Sequence, residues 1–259
     1  MAQGTTPIKL ELRDVADDRL RMPALILQYT LDSVNHLLLI YNVFQQIRRK
    51  LKRGGAPRTE EQDLLRATVV MACAGLDACV KSLIQYAIKD VVRKRKDSNE
   101  ALLEFVRRRL RGGEGEMMLD TKVLAELLVS DRPSEKAAEM AVEELRGRSL
   151  QSVEELRRAA RFLGVVNFPL PERELKDLFR VRNQIVHEMD VDLENPHRRR
   201  RPRRREEMVK YAETALRVGA ELIKECDQVM VADRDADRGK GQDQDGMIKR
   251  RSAGPGVTK

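Results

Sequence analysis

The chain is expected to be all-α, on three observations. Ala, Leu, Glu, Lys and Arg dominate its 259 residues, aromatics make up 3% and tryptophan is absent. That mix favours helices and offers almost no support to a β-sandwich or to base-stacking platforms. Apolar residues recur at helical spacing through several long runs, whereas only Ile8-Lys9-Leu10-Glu11-Leu12 alternates as a strand would, and briefly. The length leaves room for one large domain or two small ones, with enough apolar content to bury a core.

Residues 1–12 are expected to form a flexible N-terminal arm, and 13–232 a helical domain. From about Arg13, and more surely from Pro23, a helix runs to Arg53 with Leu27, Leu31, Val34, Leu38, Tyr41 and Phe44 at apolar spacing. Gly54-Gly55 and Pro57 end it. Thr59 opens a second helix towards residue 96, with Gln62 placed for a capping box. Its Met71-Ala72-Cys73-Ala74-Gly75-Leu76-Asp77-Ala78-Cys79 stretch is rich in small side chains, which admit a close neighbour.

Residues 98–168 look like an insertion of short helices at 98–111, 120–129, 133–146 and 152–164, the last opened by a Ser152–Glu155 capping box. Pro171 opens a helix to Met189, and a final helix spans about 203–231. The segment 233–259 is charged with almost no apolar content and is expected to be disordered. The four long helices suffice for a four-helix bundle.

The formal charge of +8 fits a polyanionic partner, and equally a solvated arginine-rich surface. Cys73, Cys79 and Cys226 form neither a CxxC pair nor an even framework, so they are expected to be reduced, mostly buried thiols of a cytoplasmic protein. No secretory signal is visible, and Met22 to Ile47 is too diluted by polar residues for a membrane span. No metal or cofactor is expected.

The chemistry concentrates in Arg182-Asn183-Gln184-Ile185-Val186-His187. On an ideal helix of roughly 100° per residue, Leu175, Leu178, Phe179, Ile185, Val186 and Met189 share one stripe, and Arg182 falls at its middle. A guanidinium there wants an anionic partner, a cleft or a second subunit. His187 can hold or release a proton near neutral pH, Arg182 can bind a phosphate, and Asn183 at i, i+4 from His187 can orient the ring or the substrate. The set suits cleavage of a phosphodiester by an internal 2′-hydroxyl. The same residues also fit a structural helix in which Arg182 pairs with Asp77. His36 lies within a helix and His197 in a polar loop, so one chain offers one well-placed histidine. A two-fold dimer would supply two His187 and two Arg182 to one cleft.

The Arg182–His187 segment, preceded by Leu178-Phe179-Arg180-Val181, resembles the hallmark of the HEPN superfamily: Arg, a polar residue, a few more positions, then His. Leu65 to Ile88, with Gly75-Leu76-Asp77-Ala78-Cys79-Val80, is similar to the packed second helix of HEPN domains related to the RiboL-PSP group. The resemblance covers roughly half of the chain. It implies a helical bundle that dimerises around a cleft lined by the motif pair, and a metal-independent RNA endonuclease of the kind found in toxin–antitoxin and antiviral defence systems. Carried over by position, His187 is the proton-transfer residue, Arg182 the phosphate clamp, Asn183 the polar position, and Asp77 a further acidic candidate. Members paired with small nucleotidyltransferases carry a Tyr two residues after the His; Met189 stands there instead. Arg180 and the run Arg198, Arg199, Arg200, Arg201, Arg203, Arg204 and Arg205 are RNA-binding candidates, gripping backbone charge rather than reading bases. An inhibitory or activating protein is a further expected partner. The alternative is a non-catalytic HEPN module that binds RNA or a protein.

Overall fold

A computed structural model describes residues 7–10, 15–51, 58–111, 119–150, 152–165, 171–194 and 196–251. These residues form eight α-helices: α1 (Arg21–Lys50), α2 (Thr59–Lys94), α3 (Lys96–Leu110), α4 (Thr121–Val129), α5 (Pro133–Gly147), α6 (Val153–Phe162), α7 (Glu172–Glu188) and α8 (Arg205–Arg251). The all-α class is as the sequence predicts, and the only β pairing among the described residues is an isolated bridge, Val191 with Arg200. The Gly54-Gly55-Pro57 break, the glycines at 112–115 and residues 252–259 lie outside the described residues.

The architecture is a helical bundle organised on α2. Leu65, Val69, Ala72, Leu76, Cys79, Leu83, Ile84 and Ile88 on α2 are all almost fully buried, because α1 and α8 pack along its length, α7 covers its first half and the inserted helices its second. A helix covered on several sides needs apolar residues at most positions rather than on one stripe. Each fully buried leucine contributes roughly 1.5–3 kcal/mol. By length and composition α2 could cross a membrane, and 61% of that apolar window is buried inside the fold. The three cysteines are free and buried, and burial pushes the thiols of Cys73 and Cys79 up to about 12.

Two glycines set how closely the helices approach. A Cβ on Gly75 would stand 2.6 Å from the Thr30 Cβ, and one on Gly219 would stand 2.9 Å from a Leu27 methyl. The small-residue stretch of α2 is therefore where α1 makes its nearest pass. α8 packs across α1, α2 and α7.

Several expectations are corrected. The N-terminal arm is anchored in part: Ile8 is 5% exposed, and its N–H and C=O bond to the Asn35 side chain at 2.9 and 3.1 Å. Gln62 does not complete a capping box. Its Oε1 accepts the Arg203 N–H at 2.6 Å and its Nε2 donates to the Arg203 carbonyl at 3.0 Å. The last helix, expected to stop near 231, is assigned as far as Arg251. Extending a formed helix needs only residues of acceptable propensity, not an apolar face.

The insertion is as turn-rich as expected, and it has a core of its own. Phe105 of α3 meets Phe162 of α6 edge-on at 6.3 Å, and Ala137, Ala141 and Leu145 of α5 are buried against α2. Ser152 caps α6 by accepting the Glu155 N–H at 3.1 Å, and Gly164 ends it with φ +72°.

Candidate active site at the end of α7

α7 is anchored through its first half. Leu175, Leu178, Phe179 and Val181 are buried, and Ile185 packs partly against the core. The expected stripe does not persist: Val186 and Met189 are 40% and 65% exposed, and Val181, which lay off it, is 2% exposed. The last turn is held by ion pairs on the following residue, so its apolar side chains are free to face outward.

Arg182 is half-buried at this change-over. Its Nη1 donates to Asn183 Oδ1 at 2.9 Å and stands 3.2 Å from His187 Nε2. A guanidinium has no acceptor, so in this contact Nε2 is the accepting atom. Arg182, Asn183 and His187 thus form one contiguous, solvent-facing cluster, while Gln184 turns to Arg203. Beneath it, the Arg182 charge partly opposes the rise that burial imposes on the Cys73 thiol.

Asp77 is not part of this cluster. Its Oδ1 accepts the Leu150 N–H at 2.8 Å and its Oδ2 pairs with Lys81 Nζ at 2.8 Å, fastening the α5–α6 connection to α2. The pairing of Arg182 with Asp77 is therefore corrected, because the insertion, whose path the sequence did not reveal, claims the carboxylate.

The arginine run is also corrected in part. Asp190, fully buried, receives Arg66 Nε at 2.7 Å and Arg203 Nε at 3.0 Å, with Arg203 Nη2 on its other oxygen. Met189 and Asp190 both adopt left-handed backbone (φ 52° and 60°), and the Asp190 N–H closes the α7 end on the Gln184 carbonyl at 2.8 Å. Arg203 Nη2 also donates to Gln184 Oε1 at 2.9 Å. Arg201 binds Glu188 Oε2 at 3.1 Å, Arg200 pairs with Asp63 at 2.7 Å, and Arg66 Nη2 donates to the Arg201 carbonyl at 2.8 Å. Arg205 is half-buried at the start of α8. Arg198, Arg199 and Arg204 remain exposed, and Arg180 is exposed beside Asp177 at 3.0 Å.

No family model, curated protein or solved structure matches the chain. The site rests on its own geometry. Among the described residues no group of three or more His, Cys, Asp or Glu side chains is placed to hold a metal ion. What the cluster offers is an imidazole for proton transfer beside a guanidinium for an anion. Sequence reading missed Arg66 and Asp190, the pair that fixes the end of the motif helix. Their only signals were a charged residue in an apolar helix and an Asp just past a helix end.

Proposed function

We propose that this chain is a metal-independent RNA endonuclease of HEPN type, working as a two-fold dimer in which two copies of the Arg182–Asn183–His187 cluster flank one phosphodiester. The observation that carries the reading is the 3.2 Å contact between Arg182 and His187 on an exposed helix end. In this mechanism His187 Nε2 takes the proton of the 2′-hydroxyl, whose oxygen attacks the adjacent phosphorus. The bond from phosphorus to the 5′-oxygen breaks, and that oxygen leaves with a proton from the partner's His187, already protonated for that role. Arg182 neutralises charge developing on the non-bridging oxygens, the larger part of the acceleration in reactions of this kind. A cyclic 2′,3′-phosphate and a 5′-hydroxyl result. The exposed Arg198, Arg199 and Arg204 would hold the flanking backbone, and a role in toxin or antiviral defence follows from the resemblance.

The test is incubation of the purified chain with RNA in excess EDTA. Cleavage is expected, with a loss of about 10²–10⁴-fold on His187→Ala, the usual contribution of a positioned acid–base group. RNA binding without cleavage, unchanged by that substitution, would instead identify a non-catalytic module.

A further inference from the structure

The inserted helices hold a charged cleft that the candidate site does not use. On α3, Ala101, Glu104, Phe105 and Arg108 line one wall. On α6, Glu154, Arg157, Arg158 and Arg161 line the other, with Phe162 beside them. Each set of four follows the spacing i, i+3, i+4, i+7, so each is a single helix face. Between the two faces lies a space of about 450 Å³, which is within the range of small-molecule sites. Ala101, Phe105 and Phe162 are nearly buried and form the floor, closed by the edge-on contact of the two rings. The walls carry four guanidiniums against two carboxylates.

Three of the four guanidiniums are held from outside the cleft. Arg108 Nη2 donates to Glu144 at 2.7 Å, Arg158 Nη1 donates to Glu155 at 3.0 Å, and Arg157 pairs with Glu172 at the start of α7. Arg108 also lies over the Phe105 ring, 5.6 Å from its centre. Such partners fix where a guanidinium sits, and each uses only some of its five N–H donors. The fourth, Arg161, pairs across the cleft with Glu104 at 3.1 Å, and both side chains are about half exposed. An exposed ion pair contributes little, so a more highly charged anion can replace Glu104 at small cost.

A single carboxylate in the cleft would only repeat the pair that Glu104 already makes. Guanidiniums spread over two facing helices are satisfied together by several phosphoryl groups in a row, whose non-bridging oxygens match the planar fork. We infer that the α3–α6 cleft binds a small polyphosphate, either free or as the phosphate chain of a nucleotide. Arg108, Arg157, Arg158 and Arg161 are its grips, and Glu104 is the group it displaces. RNA is a poorer fit, because the two rings are buried in the floor and leave no face on which a base can stack. Neither grip nor floor belongs to the Arg182–His187 cluster, so the site stands whether or not the chain cuts RNA.

Isothermal titration of the full chain with inorganic triphosphate, ATP and adenosine tests the site. Triphosphate and ATP are expected to bind saturably at low salt with Kd below about 1 mM, and adenosine is not expected to bind. Equal affinities would assign the site to the phosphate chain alone; tighter binding of ATP would add contacts from the nucleoside, and either supports the proposal. Arg158→Ala and Arg161→Ala are each expected to weaken binding by at least about tenfold, the loss of one charge-assisted contact. Arg107→Ala removes an exposed charge from α3 outside the cleft and should change Kd by less than about twofold. Glu104→Gln is expected to tighten binding by about threefold, since it frees Arg161 and removes a repulsive charge, a gain that a damaged fold could not produce. No saturation with either phosphate would overturn the proposal, as would adenosine binding as well as ATP. So would equal weakening by Arg107→Ala, or weaker binding in Glu104→Gln. Binding of RNA that is lost in Arg158→Ala, with no binding of the small probes, would give the cleft to RNA and also overturn it.

Discussion

Asp190 carries more of the site than any residue of the motif except the catalytic candidates. It has no exposed surface, and two guanidiniums converge on it, Arg66 from 124 residues away and Arg203 from 13. Arg66 is itself 4% exposed, and besides that carboxylate its only counter-charge among the described residues is the half-exposed Asp63, at 3.1 Å. Asp190→Asn would leave this buried cation with Asp63 alone as counter-charge, at a cost of about 3 kcal/mol. The expected readout is a lower urea midpoint with an unchanged slope. An effect under 1 kcal/mol, the size of an exposed pair, would mean that the hub is not buried in solution. Nothing local marks Asp190 in the sequence. It stands just past a helix end, where Asp is common, and its first partner lies 124 residues away. Arg182, Asn183 and His187 were legible because they lie in one short helical segment, where Asn183 and His187 share a face at i, i+4; the contact of Arg182 with His187, five residues apart, was not.

At the scale of elements, helix positions followed from periodicity, capping residues and glycine, and those signals are local. Which face each helix buries was less accessible. The stripe assigned to α7 held for Leu175, Leu178 and Phe179, then failed at Val186 and Met189, because ion pairs rather than apolar packing secure the last turn. The arginine segment divides for the same reason. Arg200, Arg201 and Arg203 brace the α7–α8 connection, while Arg198, Arg199 and Arg204 face solvent. Replacing the exposed three by alanine is expected to leave thermal stability within about 0.5 kcal/mol, as for ordinary surface changes. It should also lower the salt dependence of RNA binding by about two units of slope, the value for three lost phosphate contacts on a single strand. Arg203→Ala should instead destabilise the fold by several times that amount, having removed one of the two charges on a buried carboxylate. Equal behaviour of the two groups in a melting and salt-titration series would contradict this division.

For the whole molecule, the long helices gather α1, α2 and α7 over α8, and the open side of that layer presents an apolar stripe on α1 and the motif on α7. Composition was enough to predict a helical bundle, since few aromatics and abundant Ala, Leu, Glu and Arg leave little else. The layer itself was beyond sequence reading, because it depends on registers set by single contacts such as Gly75 against Thr30. The proposal that the chain cuts RNA makes a chemical demand that is narrower than activity alone. Attack by the 2′-hydroxyl leaves a cyclic phosphate, whereas attack by water leaves a linear one. Mapping the ends of RNA cut by the chain in excess EDTA is therefore the most direct measurement. The account predicts 2′,3′-cyclic phosphate and 5′-hydroxyl termini that disappear with His187→Ala. Products bearing 5′-phosphate, or cleavage that appears only when Mg²⁺ is supplied, would contradict it.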